Sequence, residues 1–257
     1  FGIGPFPKMG VVGAAVATVL GYVVSTIIAL IQLFLTKQKV KPVFKNCLEP
    51  QMIKLIFSYG LPSFVMNALG AFTVNFANMF LVRYSDTAVA FFGAYFKVQQ
   101  LIFMTVNGLI QGCLPIMRFN YRAKEYGRLK QANKSGTIIA TVMMIVGMLL
   151  VLIFPKEILF LFSASEEMCA FGVPAMRIMS LGFVFSGFSA MIATYEQATD
   201  SIMPGVVVQL LRQGVLLVPV IWLLNSAVQM TGIWLAFPIT EFVTFLVAVV
   251  FAKIKNH

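Results

Sequence analysis

Seven stretches of this sequence are each long and apolar enough to cross a bilayer as a helix, and no other feature constrains the fold as tightly. A hydrocarbon core of about 30 Å takes roughly 20 residues at a rise of 1.5 Å each. The stretches lie at Gly10 to Leu35, Gly60 to Tyr84, Ala88 to Met117, Ser135 to Phe162, Phe171 to Ala198, Met203 to Leu224 and Thr231 to Ala252. Of the 257 residues, 60% are hydrophobic and 11% charged, and the mean hydropathy is +0.91. No water-soluble core needs that much apolar surface. The predicted fold is an all-α integral membrane protein with seven transmembrane helices.

The net charge of +10 sits in short connectors rather than on one face of a folded domain, which argues against a nucleic-acid partner. Two connectors are strongly basic: one carries Lys37, Lys39, Lys41 and Lys45, the other Arg118, Arg122, Lys124, Arg128, Lys130 and Lys134. Lys253 and Lys255 close the chain. The alternate connectors hold Arg83 and Lys156 against Asp86, Glu157, Glu166 and Glu167. Retained bases mark the cytoplasmic side, so Phe1 is expected outside and His257 inside. The opening FGIGPFPKMG lacks a secretory leader's basic and cleavage regions, and the chain is expected to be a piece of a longer protein.

Polar residues inside the spans are the candidates for function. At 100° per residue, Lys97, Gln100, Asn107 and Gln111 of the third span fall within about 80° of one another, with Met104 among them. Ser63, Asn67, Asn75 and Asn78 of the second span fall within about 120°. Two readings stand: amides that tie helices together inside a sealed bundle, or two walls of a cavity filled by water or substrate.

Three charges are expected deep in the membrane: Lys97, Arg212 and Glu241. Lys97 and Glu241 lie roughly 14 to 17 Å from the outer ends of their spans, and Arg212 at a comparable depth from the inner end. Glu241 is expected to pair with Lys97 or Arg212, either as a fixed structural pair or as one that breaks when the protein cycles. Glu196 and Asp200 are read as a solvated helix end. Small residues at every fourth position, as in Gly13, Ala17 and Gly21, Gly108 and Gly112, or Gly182, Ser186, Ala190 and Thr194, predict close helix packing within the bundle.

Enzymatic chemistry finds no support. There is no GxSxG, HExxH or GxxxxGK[ST] motif. Cys47, Cys113 and Cys169 fall on separate segments without metal-ligand spacing. No cofactor or metal site is expected.

The run GLIQGCLPIMRFNYRAKEYGRLKQA resembles the multidrug and toxic compound extrusion (MATE) family. Gly108, Gln111, Gly112, Pro115, Asn120, Tyr121, Ala123, Lys124 and Arg128 stand at positions matching the family's eighth-helix motif. KMGVVGAAVAT is similar to the start of its sixth helix, YGLPS of its seventh, LLRQGVLLVPVIWLL of its eleventh and GIWLAFPITE of its twelfth. Arg122 and Leu114 depart from the family's usual glycine and glutamine.

The resemblance implies a two-lobed transporter working by alternating access, which exports hydrophobic or cationic organic compounds against sodium or proton entry. Residues 1–36 would then hold the last helix of an N-terminal lobe, 37–50 a basic cytoplasmic linker and 51–257 the C-terminal six-helix lobe. The rest of the N-terminal lobe is expected as its partner, with a small organic substrate and the bilayer, here a bacterial inner membrane. A flippase for lipid-linked saccharides, built on the same superfamily plan, is the alternative.

Overall fold

The structure is a computed structural model that describes residues 10–35, 49–199, 207–208 and 210–255. Its described elements are α1 (Gly10–Leu35), α2 (Pro50–Leu81), α3 (Asp86–Arg122), α4 (Tyr126–Ile153), α5 (Pro155–Leu161), α6 (Glu166–Ser180), α7 (Phe183–Ala198), a π-helical turn (Leu211–Val215), α8 (Leu217–Val228) and α9 (Met230–Lys255). The chain divides into two compact units, Phe1–Ser58 and Tyr59–His257, with the boundary inside α2. The first holds α1 and the start of α2; the second holds everything that follows. Residues 37–48 of the expected linker lie outside the described residues.

Five described stretches are long and apolar enough to cross a membrane: Ala15–Phe34, Asp86–Arg122, Tyr126–Ile153, Glu166–Ala198 and Met230–Phe251. The second and sixth predicted spans are represented among the described residues by the shorter apolar helices Ala68–Leu81 and Leu217–Val228, which fall short of that length. The first of these belongs to the 32-residue α2. The second follows the π-helical turn, and residues 200–206 before that turn lie outside the described residues.

Boundaries of the fourth and fifth spans differ from the sequence reading for physical reasons. The fourth span starts at Tyr126 rather than Ser135, because Arg128, Lys130 and Lys134 extend the helix past the apolar stretch into the polar layer. It ends at Ile153 because Pro155 opens α5; proline's missing N–H suits the first position of a new helix. The fifth span is two helices, α6 and α7, that meet at Leu181 and Gly182.

Two of the acidic connectors turn out to be helix caps. The Ser85 hydroxyl accepts the Ala88 N–H at 3.0 Å, with Asp86 in the first turn of α3. Ser165 accepts the Met168 N–H at 3.2 Å, with Glu166 and Glu167 in the first turn of α6. Each side chain satisfies an orphan amide, and each acid faces the positive end of a helix dipole.

Lipid tails are as apolar as leucine, so helix association in a membrane rests on close packing. On α4 the buried Gly136, Ala140, Met144, Gly147 and Val151 recur at helical spacing, while Ile138, Val142, Val146, Leu149 and Ile153 point outward from the bundle. A Cβ added at Gly187 of α7 would lie 2.9 Å from Met144 and 3.0 Å from the Ala140 carbonyl, so α7 presses directly on α4. At the end where α3 begins, Phe91, Phe92 and Tyr95 interlock with Trp234 and Phe237 of α9. The Tyr84 hydroxyl donates to Asn225 Oδ1 at 2.8 Å, placing the α2–α3 and α8–α9 connectors at one end of the lobe.

Candidate functional site

α3 is 37 residues long, and its two faces differ. The side bearing Phe91, Tyr95, Val98 and Val106 is buried. Lys97, Gln100, Asn107 and Gln111 all emerge exposed, with Met104 69% exposed among them. No hydrogen bond or ion pair joins these four to another described residue. The reading of amides sealed inside the bundle therefore does not hold for α3, whose polar stripe faces away from its own lobe.

Gly108 and Gly112 continue that open face, with nothing within 4 Å of a Cβ added at either. The bundle packing expected of them is absent, because the lobe packs on the opposite side of α3. The α7 stripe does pack: at Gly182 an added Cβ would meet Pro238 at 3.2 Å and Glu241 at 3.3 Å.

On α2 the polar residues split. Asn75 is exposed, and its amide donates to the Ala71 carbonyl of its own helix at 3.1 Å. Asn78 Oδ1 is buried without a hydrogen-bond partner among the described residues. The side chains of Ser63 and Asn67 lie outside the described residues.

Of the two partners weighed for Glu241, the structure gives it Arg212. Arg212 Nε lies 3.1 Å from Glu241 Oε1, with the two side chains 19% and 15% exposed. The guanidinium carbon stands 4.8 Å from the Phe103 ring centroid on α3, where the ring's negative face stabilises the cation. Arg212 is presented by the π-helical turn, which Leu216 N–H closes onto Leu211 O, five residues back, at 3.2 Å. Gly214, in the same turn, leaves no room for a Cβ beside Thr73 and Leu69 of α2. One ion pair thus joins the π turn, α3 and α9, beside the α6–α7 junction.

Glu241 Oε2, the hydroxyls of Thr240 and Thr244 on the same helix and the Tyr95 hydroxyl are buried without hydrogen-bond partners among the described residues. Hard oxygens of this kind suit a proton or a small cation rather than a transition metal. No group of three His, Cys, Asp or Glu able to hold a metal occurs among the described residues.

Two charges fall elsewhere than the sequence suggested. Glu196 is no solvated helix end: it is 2% exposed, because the last turns of α7 bury Thr194, Ala198 and Thr199 along with it. Asp200 lies outside the described residues. Arg177, absent from the sequence candidates, sits within a membrane-span stretch and donates from Nε to the Leu152 carbonyl at 3.2 Å. That carbonyl belongs to the last turn of α4, where intrahelical donors run out; the break at Pro155 was the signal available for it.

The sequence model of the MatE family matches residues 62–223. The chain belongs to the MatE family. It is 26% identical over 235 residues to the multidrug export protein MepA of Staphylococcus aureus, covering 91% of this chain and 51% of that protein. It is likewise 26% identical over 244 residues to MepA of Staphylococcus saprophyticus, covering 93% and 53%. The chain spans about half the length of the curated relatives it matches.

Among solved structures, an outward-facing multidrug resistance MATE family transporter of the MOP superfamily superimposes with a TM-score of 0.82 at 20% identity, covering 96% of this chain and 56% of that one. A MOP superfamily transporter from Pyrococcus furiosus, described as having a binding pocket of reverse polarity that suggests a different function, gives 0.82 at 20%, covering 96% and 57%. At that identity the likeness establishes a MATE fold: an all-α, multi-pass membrane protein.

Proposed function

We propose that the chain is about half of a secondary transporter that exports hydrophobic organic compounds, coupled to sodium or proton entry and cycling by alternating access. Its C-terminal lobe works with an N-terminal lobe of the same protein across a shared cavity. The observation that carries this reading is the α3 stripe. A lysine and three amides stand exposed on a helix of membrane-span length, and such groups are costly against acyl chains. They need water, substrate or another protein surface, and a cavity between lobes supplies all three.

For the coupling ion, Glu241 is the residue to test. It is acidic, it lies in a membrane-span helix, and one of its oxygens is unbonded among the described residues. Neutralising Glu241 would release Arg212, and the energy of the pair would then link ion binding to the conformation of the π turn. The similarity to two export proteins supports efflux over the flippase alternative.

The test is dye accumulation in cells expressing the protein from its own complete gene, over a panel of cationic, neutral and anionic hydrophobic dyes. Sodium and proton gradients are collapsed separately. Lowered accumulation that reverts when one gradient is removed is the expected result; accumulation unchanged across the whole panel refutes efflux. Glu241→Gln is expected to abolish the gradient dependence, and transport that stays fully gradient-dependent assigns coupling to another residue.

A further inference from the structure

We infer that the exposed face of α3 is a recognition surface for lipophilic organic anions, with Lys97 as the group that binds the carboxylate or sulfonate. This rests on the transporter reading and names its substrate class.

Lys97 lies eleven residues beyond Asp86, about 16 Å along the helix and so close to the bilayer midplane. Its stem spans too little distance to carry the ammonium to either headgroup layer from there. The ammonium is exposed and has no ion-pair partner among the described residues, a costly state at mid-depth unless an anion or water meets it.

The acids that might compensate it are engaged or enclosed elsewhere. Glu241 is held by Arg212 at 3.1 Å. Glu196 is 2% exposed, inside the bundle. Between Asp86 and Arg122, α3 itself has no carboxylate, and α2 has none between Gly60 and Leu81. Among the described residues the exposed face of α3 therefore carries one positive charge with no acid paired to it, and in a low-dielectric cleft such a charge attracts anions and repels cations.

The neighbours on the stripe complete a site of matching chemistry. Gln100, Asn107 and Gln111 offer amide donors that bind an oxyanion without adding charge. Met104 supplies an adaptable apolar contact for the body of the molecule. A quaternary-ammonium drug would find neither a carboxylate nor an open aromatic face on this stripe.

The experiment uses everted membrane vesicles from cells expressing the complete gene, energised by the gradient the panel identifies. Two probes are compared: the sulfonate dye anilinonaphthalene sulfonate and the cation ethidium. The sulfonate is expected to be transported in preference. Lys97→Gln is expected to lower its transport about tenfold, the equivalent of one ion contact of about 1.4 kcal/mol, and so to shift the sulfonate-to-ethidium ratio toward ethidium. Lys97→Glu is expected to reverse the preference, and Lys97→Arg to keep it.

Immunoblots confirm equal amounts of each variant in the membrane, and sulfonate binding to the purified protein, read from dye fluorescence, gives a second readout. Wild-type transport of ethidium but not the sulfonate overturns the inference and leaves the transporter reading standing, as does undiminished sulfonate transport by Lys97→Gln. Transport of neither dye overturns the inference, and the transporter reading then stands or falls by the wider dye panel.

Discussion

At the residue scale, the Arg212–Glu241 pair is the interaction whose removal discriminates best between roles. Both side chains are largely enclosed, so deleting one partner strands the other charge in a poorly solvated place. Arg212→Met is expected to destabilise the folded protein by about 3 kcal/mol for that reason. The double variant Arg212→Met with Glu241→Leu removes both charges and is expected to recover most of the loss. Thermal unfolding in detergent, followed by tryptophan fluorescence, measures each variant. A coupling energy close to zero across the cycle would show that the pair contributes little beyond its separate side chains. Phe103 belongs to the same unit, since its ring covers the guanidinium; Phe103→Leu is expected to lower stability by about 1 kcal/mol through the lost cation–π contact.

Among the elements, α3 and α7 show what periodicity reveals and what it leaves open. The polar stripe of α3 was legible as a stripe, because four residues within a narrow arc need only the helical repeat to be recognised. Whether it faced inward or outward was not legible, because that depends on which side the other helices occupy. The same limit explains Gly108 and Gly112, whose spacing equals that of the packed Gly182 and Ser186 although their face is open. Glu196 shows the reverse: a carboxylate near a helix end reads as solvated until a neighbouring helix covers it. The pair of Arg212 with Glu241 rather than Lys97 was equally hidden, since matched depth leaves rotation about each helix undetermined. The helix over Gly10–Leu35, in contrast, follows from the apolar run alone. Packing supplies the corresponding test. Gly187→Leu forces a side chain into Met144 and the Ala140 carbonyl, and is expected to cost about 1–3 kcal/mol or to abolish accumulation of folded protein. Gly112→Ala, on the open face, is expected to leave the melting temperature unchanged or slightly raised, since nothing lies within 4 Å of the added Cβ and alanine favours a helix interior over glycine by about 0.5–1 kcal/mol. If both substitutions destabilise equally in the same fluorescence assay, the assignment of the two faces is wrong.

For the whole molecule, orientation in the membrane rests on fewer charges than the sequence suggested. Asp86, Glu166 and Glu167 are accounted for locally as first-turn acids beside capping serines, so they carry little information about sidedness. The bases do carry it. Arg118, Arg122, Lys124, Arg128, Lys130 and Lys134 cluster where α3 ends and α4 begins. The hydrogen bond from Tyr84 to Asn225 fixes two connectors at the opposite end of α3. α9 starts at that same end and runs to Lys253 and Lys255. Bases at the far ends of α3 and α9 therefore converge on one side, and that side is expected to be cytoplasmic. Reporter fusions after Lys124 should be active only for a cytoplasmic reporter, and fusions after Asn225 only for an exported one. Single cysteines give an independent check in a background lacking Cys47, Cys113 and Cys169: Asn107→Cys should react with a membrane-impermeant maleimide through the water-filled cavity, and Val146→Cys on the lipid-facing side of α4 should not. Equal protection of both positions would mean that the α3 stripe is covered by lipid or by protein rather than by solvent, and the cavity reading would have to be abandoned.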